Sequence, residues 1–256
     1  MDKHNRITNL AEIIQKAGVI SVQALEERYA HSFSTLQRDL NYLTSIGIID
    51  RKYGRICAKS TESLGLENVN STRSLQLCKE AIGRATQFLL QPNETAYITH
   101  GSTTLEVARA FSDHASHKVF TDGLDVVEAL GKKSNIRTFC LAGSINYSSR
   151  RIERSPYVST SFPNVNINHI IMGVAGLSVS KGITFYDYES ADFLAQIIPQ
   201  CEEIIVVADH TKLDRVSTVH FDEISIISYL VTDSQASPEH IRIMESKGIK
   251  CIIAEM

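Results

Sequence analysis

Apolar positions near the start of the chain recur at helical spacing. Ile7, Leu10, Ile14 and Ala17 predict a helix over residues 3–17 that stops at Gly18, a residue suited to left-handed helix termination. Ser21 is placed to cap a short second helix, Val22–Tyr29, and Ser32 to start a third. In the third, Leu36, Leu40 and Leu43 share one face, and Ser34, Gln37, Arg38 and Asn41 the other. After Gly47, the apolar pair Ile48-Ile49, a turn Arg51-Lys52-Tyr53-Gly54-Arg55 and the run Ile56-Cys57-Ala58 predict a small β-hairpin. Three short helices and a hairpin make a winged helix-turn-helix. In that arrangement the polar start of the third helix meets base edges in the major groove and the cations of the hairpin meet phosphates. The bland alternative for that polar face is simple solvation.

Lys59–Arg73 (KSTESLGLENVNSTR) is polar and unpatterned, which reads as a linker. The expected division is therefore 1–58 for the head, 59–73 for the linker and 74–256 for the body. A helix is expected over 74–90, carried by Leu75, Cys78, Ile82, Ala85 and Leu89. Beyond it, extended apolar runs alternate with helical ones. The runs are Thr95–Thr99, Lys118–Thr121, Ile136–Leu141, Ile167–Met172, Glu203–Ala208, Ile226–Val231 and Ile249–Ala254. Such alternation predicts an α/β body built on a mostly parallel sheet, whose ligands collect in the loops after the strands.

Composition narrows the class without changing this layout. The 256 residues are 43% hydrophobic and 21% charged, ordinary values for a globular protein. Neither a signal-peptide pattern nor an apolar run of roughly 18 residues is present, so a cytoplasmic protein away from the membrane is expected. Cys57, Cys78, Cys140, Cys201 and Cys251 form no CxxC pair and are expected to be buried, reduced thiols. The nine histidines show neither HxH nor HExxH spacing, so no metal site and no cofactor are expected. Net charge is −3, unevenly spread: residues 1–60 hold nine Lys/Arg against six Asp/Glu, and the remainder 17 against 23. A mildly basic head on an acidic body fits a nucleic-acid contact confined to the head.

Four loops at predicted strand ends mix small and polar residues: Thr99-His100-Gly101-Ser102-Thr103-Thr104, Thr121-Asp122-Gly123, Gly173-Val174-Ala175-Gly176 and Asp209-His210-Thr211-Lys212. Glycine permits close backbone approach, hydroxyls and unpaired helix-start N–H groups satisfy an anion's oxygens, and Lys212 supplies a cation. Together they predict a pocket for a phosphorylated ligand. The competing readings are that Gly173 and Gly176 only shape turns, that Lys212 is solvated and that His100 caps a turn.

The residues also carry a family resemblance. The head "GVISVQALEERYAHSFSTLQRDLNYLTSIGIIDRKYGRI" resembles the helix-turn-helix of the DeoR family of bacterial transcriptional regulators through Thr35, Arg38-Asp39-Leu40 and Arg51-Lys52-Tyr53-Gly54. The body is similar to that family's sensor domain through GSTT (101–104), TDG (121–123), AG (142–143), GVAGL (173–177), KGIT (181–184) and ADHTK (208–212). "YDYESA" (186–191) and "VADHTKLDR" (207–215) look nearest to the subgroup that contains the glycerol-3-phosphate and sulfosugar-pathway repressors. The resemblance implies a repressor of a carbohydrate or polyol operon that binds double-stranded operator DNA. Its body would have a ribose-5-phosphate isomerase-like fold and bind a small phosphorylated sugar or polyol. Candidate DNA contacts are Ser34, Thr35, Gln37, Arg38, Asn41, Arg51, Lys52, Tyr53 and Arg55. Candidate effector contacts are His100, Gly101, Ser102, Thr103, Thr104, Asp122, Gly123, Gly143, Gly173, Gly176 and Lys212.

The chain departs from the family pattern at several positions. Thr99-His100 stand where an acidic residue is usual, Asp122-Gly123 replace an Asn-containing pair, Ala142 replaces a glycine, and a basic pair expected after Glu189 gives way to "DFLAQ" (192–196). Lost cations and a gained carboxylate predict weaker binding of a dianion. Gln37 and Arg55 also differ from the common residues, which bears on operator sequence. Two other functions therefore stay open, an isomerase- or deaminase-like enzyme on the same fold and a DNA-binding regulator whose pocket no longer works. A homodimer or homotetramer is expected, since one small head offers too few phosphate contacts for operator-grade affinity.

Overall fold

The structure, a computed structural model, describes all residues except 1–2, 18, 30, 46–48, 53–54, 59–66, 113, 148, 156, 158–163 and 256, and of some residues within helices and strands only the backbone. The chain divides into two compact units, Met1–Arg73 and Ser74–Met256.

The first unit contains α1 (Lys3–Ala17), β1 (Val19–Ser21), α2 (Val22–Arg28), α3 (Phe33–Ser45), β2 (Ile49–Lys52) and β3 (Arg55–Ala58). The hydroxyl of Ser21 accepts the Ala24 N–H at 3.1 Å and caps α2 as its sequence position predicts. Strand β1 is an element that periodicity misses; at three residues it is too short to show any. It pairs antiparallel with β3, giving the sheet order β1-β3-β2 of a winged helix-turn-helix. Leu10, Ile14, Leu25, Leu36, Leu40, Leu43, Ile49 and Ile56 are fully buried in one core. Each leucine or isoleucine so buried stabilises the unit by roughly 1.5–3 kcal/mol.

Helix α4 (Glu67–Thr86) begins seven residues before the expected start, so Glu67–Arg73, read above as linker, is helical. Its leading residues lack the apolar spacing by which the sequence signals a helix. It is followed by β4 (Thr95–Ile98), α5 (Ser102–Ala110), β5 (His117–Thr121), α6 (Leu124–Leu130), β6 (Ile136–Cys140), β7 (Ser144–Asn146), β8 (Arg151–Glu153), β9 (Ile167–Gly173), β10 (Gly176–Ser178), β11 (Gly182–Phe185), α7 (Tyr188–Ile197), β12 (Cys201–Val207), β13 (Val219–Asp222), β14 (Tyr229–Asp233), α8 (Pro238–Ser246) and β15 (Lys250–Ala254). The strand predicted over Ile226–Val231 starts later, because Ile224–Ile226 form a 3-10 turn. The β7–β8 hairpin and the small antiparallel sheet β10-β11-β13 went unpredicted, their three- and four-residue strands being too short for a periodic signal.

The main sheet runs β15-β14-β12-β9-β4-β5-β6 with every pairing parallel. Alternate residues of its strands enter two cores. Ala96, Ile98, Val119, Ile171, Ile205 and Val207 meet Ile82 of α4, Val107 of α5 and Val126 of α6 on one face. Tyr97, Ile170, Met172, Ile204 and Val206 meet Phe193, Leu194 and Ile197 of α7 on the other. From β4 the chain moves toward β5, and from β9 it moves the opposite way, toward β12. The loops after β4 and β9 therefore diverge and open a crevice at the carboxyl ends of adjacent strands, the usual ligand position in a doubly wound sheet.

Candidate functional site

The crevice is a cavity of about 200 Å³. Gly101 caps α5 at φ +146°, a conformation that side chains rarely adopt, and there brings the backbone to the helix start. Ser102 and Thr103, the first residues of α5, line the cavity with Gly101, and Lys212 lines it from the loop after β12. That loop is held from behind: Asp209, buried, accepts the Thr211 N–H at 3.0 Å, and His210 gives its N–H and Nδ1 to the buried Asp233 at 2.8 and 2.9 Å. Lys212 Nζ sits 5.9 Å from the centroid of the Tyr186 ring and has no carboxylate partner among the described residues. Helix-start donors and a cation thus face one small space, which suits an anion.

Asp122 follows β5 and is 5% exposed. Its carboxylate accepts the His100 N–H and pairs with His100 Nδ1, each at 2.8 Å. Burial pushes this carboxyl up, but the His100 bonds and the nearby Arg151 charge outweigh burial and hold it below the usual carboxylate range. Arg151, on β8 and also buried, donates from Nη1 to Asp187 Oδ1 and Ser190 Oγ, both at 3.0 Å. Its Nε lies 3.4 Å from Asp122 Oδ2, within ion-pair range, yet makes no aligned hydrogen bond. Asp187 caps α7 by accepting the Ser190 N–H at 2.9 Å. Its carboxyl is lifted by burial and lowered further by the Ser190 bonds and Arg151, with a net downward shift.

Of the eleven residues predicted for the effector, seven line the cavity: His100, Gly101, Ser102, Thr103, Asp122, Gly173 and Lys212. The other four do not. Thr104 is fully buried and turns its hydroxyl back to the Gly101 carbonyl at 3.0 Å. Gly123 packs against His100. Gly143 and Gly176 are required by close packing, since an added Cβ would stand 2.0 Å from the Glu153 carbonyl oxygen and 2.3 Å from that of Arg215. Sequence reasoning missed Arg151, Tyr186 and Ser190. Arg151 comes from a hairpin 38 residues upstream of Glu189, and its charge is shared between Asp122 and Asp187. One further expectation changes. Cys140 is an exposed thiol, and Cys201 and Cys251 are only partly buried. Donor atoms of Cys78, His210 and Asp233, far apart in sequence, lie within 4.8 Å of one another. Asp233 there also accepts the Gln235 N–H at 3.0 Å, in keeping with an internal hydrogen-bonded cluster.

In the head, Leu36, Leu40 and Leu43 of α3 are buried while Arg38 and Asn41 are exposed and Thr35 and Gln37 half-buried. Thr35 Oγ1 lies 2.9 Å from Ser32 Oγ at the helix start. Tyr53 and the side chains of Ser34, Arg51, Lys52 and Arg55 fall outside the described residues. Asp39 of the Arg38-Asp39-Leu40 motif points inward, taking Arg6 Nε at 2.8 Å and the Tyr29 hydroxyl. It ties α1 and the end of α2 to α3. Burial and the bond to Asp39 push the Tyr29 phenol up to about 12.

A helix-turn-helix head and an α/β body with a strand-end crevice define a two-part DNA-binding regulator. Sequence comparison agrees. The model of the DeoR-like helix-turn-helix domain matches residues 6–63 and that of the DeoR C terminal sensor domain matches residues 76–234. The chain belongs to the DeoR family of transcriptional regulators. It is similar to the glycerol-3-phosphate regulon repressor of Escherichia coli K12, 24% identical over 246 residues that cover 96% of this chain and 95% of that protein. The transcriptional repressor AccR of Agrobacterium fabrum is 25% identical over 247 residues, 93% and 95% of the two chains. The regulator IolR of Bacillus subtilis is 24% identical over 239 residues, 92% and 93%. Among solved structures, ribose 5 phosphate isomerase A from Neisseria gonorrhoeae superposes with a TM-score of 0.38 at 14% identity, over 55% of this chain and 54% of that one. No helix among the described residues is long and apolar enough to cross a membrane.

Proposed function

We propose that this protein represses a carbohydrate or polyol operon and that a phosphorylated sugar or polyol, bound in the strand-end cavity, controls its grip on operator DNA. The observation that carries this reading is the meeting of the α5 start with Lys212 in one cavity. Gly101, Ser102, Thr103 and Lys212 hold the phosphate, and Asp122 with His100 contact hydroxyls. Thr35, Gln37, Arg38 and Asn41 face the DNA, together with Ser34 and the turn residues Arg51, Lys52, Tyr53 and Arg55. The regulators named above, for glycerol 3-phosphate among others, support the ligand class. Two or four heads on one operator supply the phosphate contacts that a single head lacks, so the working form is a homodimer or homotetramer.

A thermal-shift panel of phosphorylated metabolites with three to six carbons tests the reading, with ligand consumption followed in parallel. A cognate ligand at 100 times its Kd stabilises the folded protein by about 2.7 kcal/mol. Absence of any shift across the panel contradicts an effector of this class. Turnover of a bound ligand replaces the sensor with an enzyme, for which the His100–Asp122 pair is the group suited to proton transfer.

A further inference from the structure

Arg151 is the unusual member of the cavity wall. It is 7% exposed, and among the described residues its Nε–H is a buried donor without an aligned acceptor. Its charge, however, is already shared between Asp122 and Asp187. Lys212 is the cavity cation with no carboxylate partner among the described residues.

We infer that the Asp122–Arg151–Asp187 trio makes the site select monophosphates whose other end is a neutral polyol or open-chain sugar, and reject those that end in a carboxylate. The inference rests on the phosphate reading above and adds the specificity of the far end. A hydroxyl both accepts and donates, so it gives its proton to the carboxylate of Asp122, which lines the cavity. A carboxylate only accepts. Placed at the same point it meets the buried carboxylate of Asp122, with the half-buried Asp187 beyond, and the one guanidinium between them is already shared, so like charges repel. The depressed pKa values of Asp122 and Asp187 agree, since both groups stay ionised near neutrality. Asp187 acts through Arg151 and is a positioning residue.

Two matched pairs of probes test this on the full-length protein: glycerol 3-phosphate against 3-phosphoglycerate, and glucitol 6-phosphate against 6-phosphogluconate, with affinities from calorimetry. The expected result is that the neutral member of at least one pair binds 10-fold or more tighter than its acid. Asp187→Asn keeps the helix cap, because Asn caps as well as Asp, but removes one neutralising charge from Arg151. It should shrink that ratio by 10-fold or more, the acid gaining affinity, whereas a merely structural role for Asp187 moves both members alike. Acids that bind as tightly as the neutral probes, or a ratio unchanged in Asp187→Asn, overturn the selectivity and leave the phosphate site standing. Binding by none of the four, with no thermal shift, overturns both readings together.

Discussion

The head and the body assemble their candidate recognition residues in different ways. In the head the candidate base-reading side chains lie on one helix whose period also builds the core: Leu36, Leu40 and Leu43 go in, and Arg38 and Asn41 come out. In the body the residues that line the cavity come from the ends of β4, β5, β9 and β12, from hairpin strand β8 and from the start of α7. One stretch of sequence describes the first surface, and only the folded sheet assembles the second. The difference teaches where a single change separates folding from function.

The largest expected effect lies within two neighbouring residues of α3. Leu40 is fully buried, so Leu40→Ala should cost about 2–5 kcal/mol of stability, read from denaturant unfolding. Arg38→Ala should leave stability within about 0.5 kcal/mol and instead weaken operator binding by about 1–3 kcal/mol at matched salt. Equal effects of the two on stability would break the division of α3 into a core face and a DNA face.

In the body the corresponding change is Lys212→Ala. Loss of a charge-assisted contact should weaken a phosphorylated ligand by about 1.5–3 kcal/mol, as measured by calorimetry, while the operator affinity of the ligand-free protein stays the same. Thr103→Ala should act in the same direction with a smaller effect, because it removes a neutral hydroxyl. An undiminished ligand affinity in both variants would place the anion elsewhere.

The smallest effect concerns pH. His117, buried beside Phe111 with no partner for Nδ1 among the described residues, has a pKa lowered by burial, with Glu94 opposing. Its folded-state pKa lies below the 6.5 of the unfolded chain, so its contribution is complete above that value. As pH falls below 6.5 the unfolded state takes the proton first and stability declines. Thermal melts should show a decline across this window in the wild type and a flatter one in His117→Gln. An unchanged slope would remove His117 as its source.

The contrast also explains what could be read from the sequence. The layout of the head and the seven strands of the main sheet follow from period and length, and the loops with Gly101 and Lys212 follow from their position after strands. Arg151 did not, because nothing local in "SSRRIERSP" distinguishes it from the half-buried Arg150 and the exposed Arg154. Its partners Asp122 and Asp187 stand 29 and 36 residues away and meet it only through the hairpin and the helix cap. Asp39 shows the converse. Set among polar residues in the third helix, it is an internal fastener. Gly143 and Gly176, chosen for their kinship to ligand loops, serve close backbone packing.

The central claim is that the strand-end cavity controls the head, and linkage tests it most directly. Operator affinity is measured by fluorescence anisotropy with and without whichever neutral probe binds, and probe affinity is measured with and without operator DNA. The account predicts the same factor in both directions, typically 5- to 150-fold, and a factor of one in Lys212→Ala. A saturating probe that leaves operator affinity unchanged in the wild type, or a Lys212→Ala protein that responds as the wild type does, would contradict it.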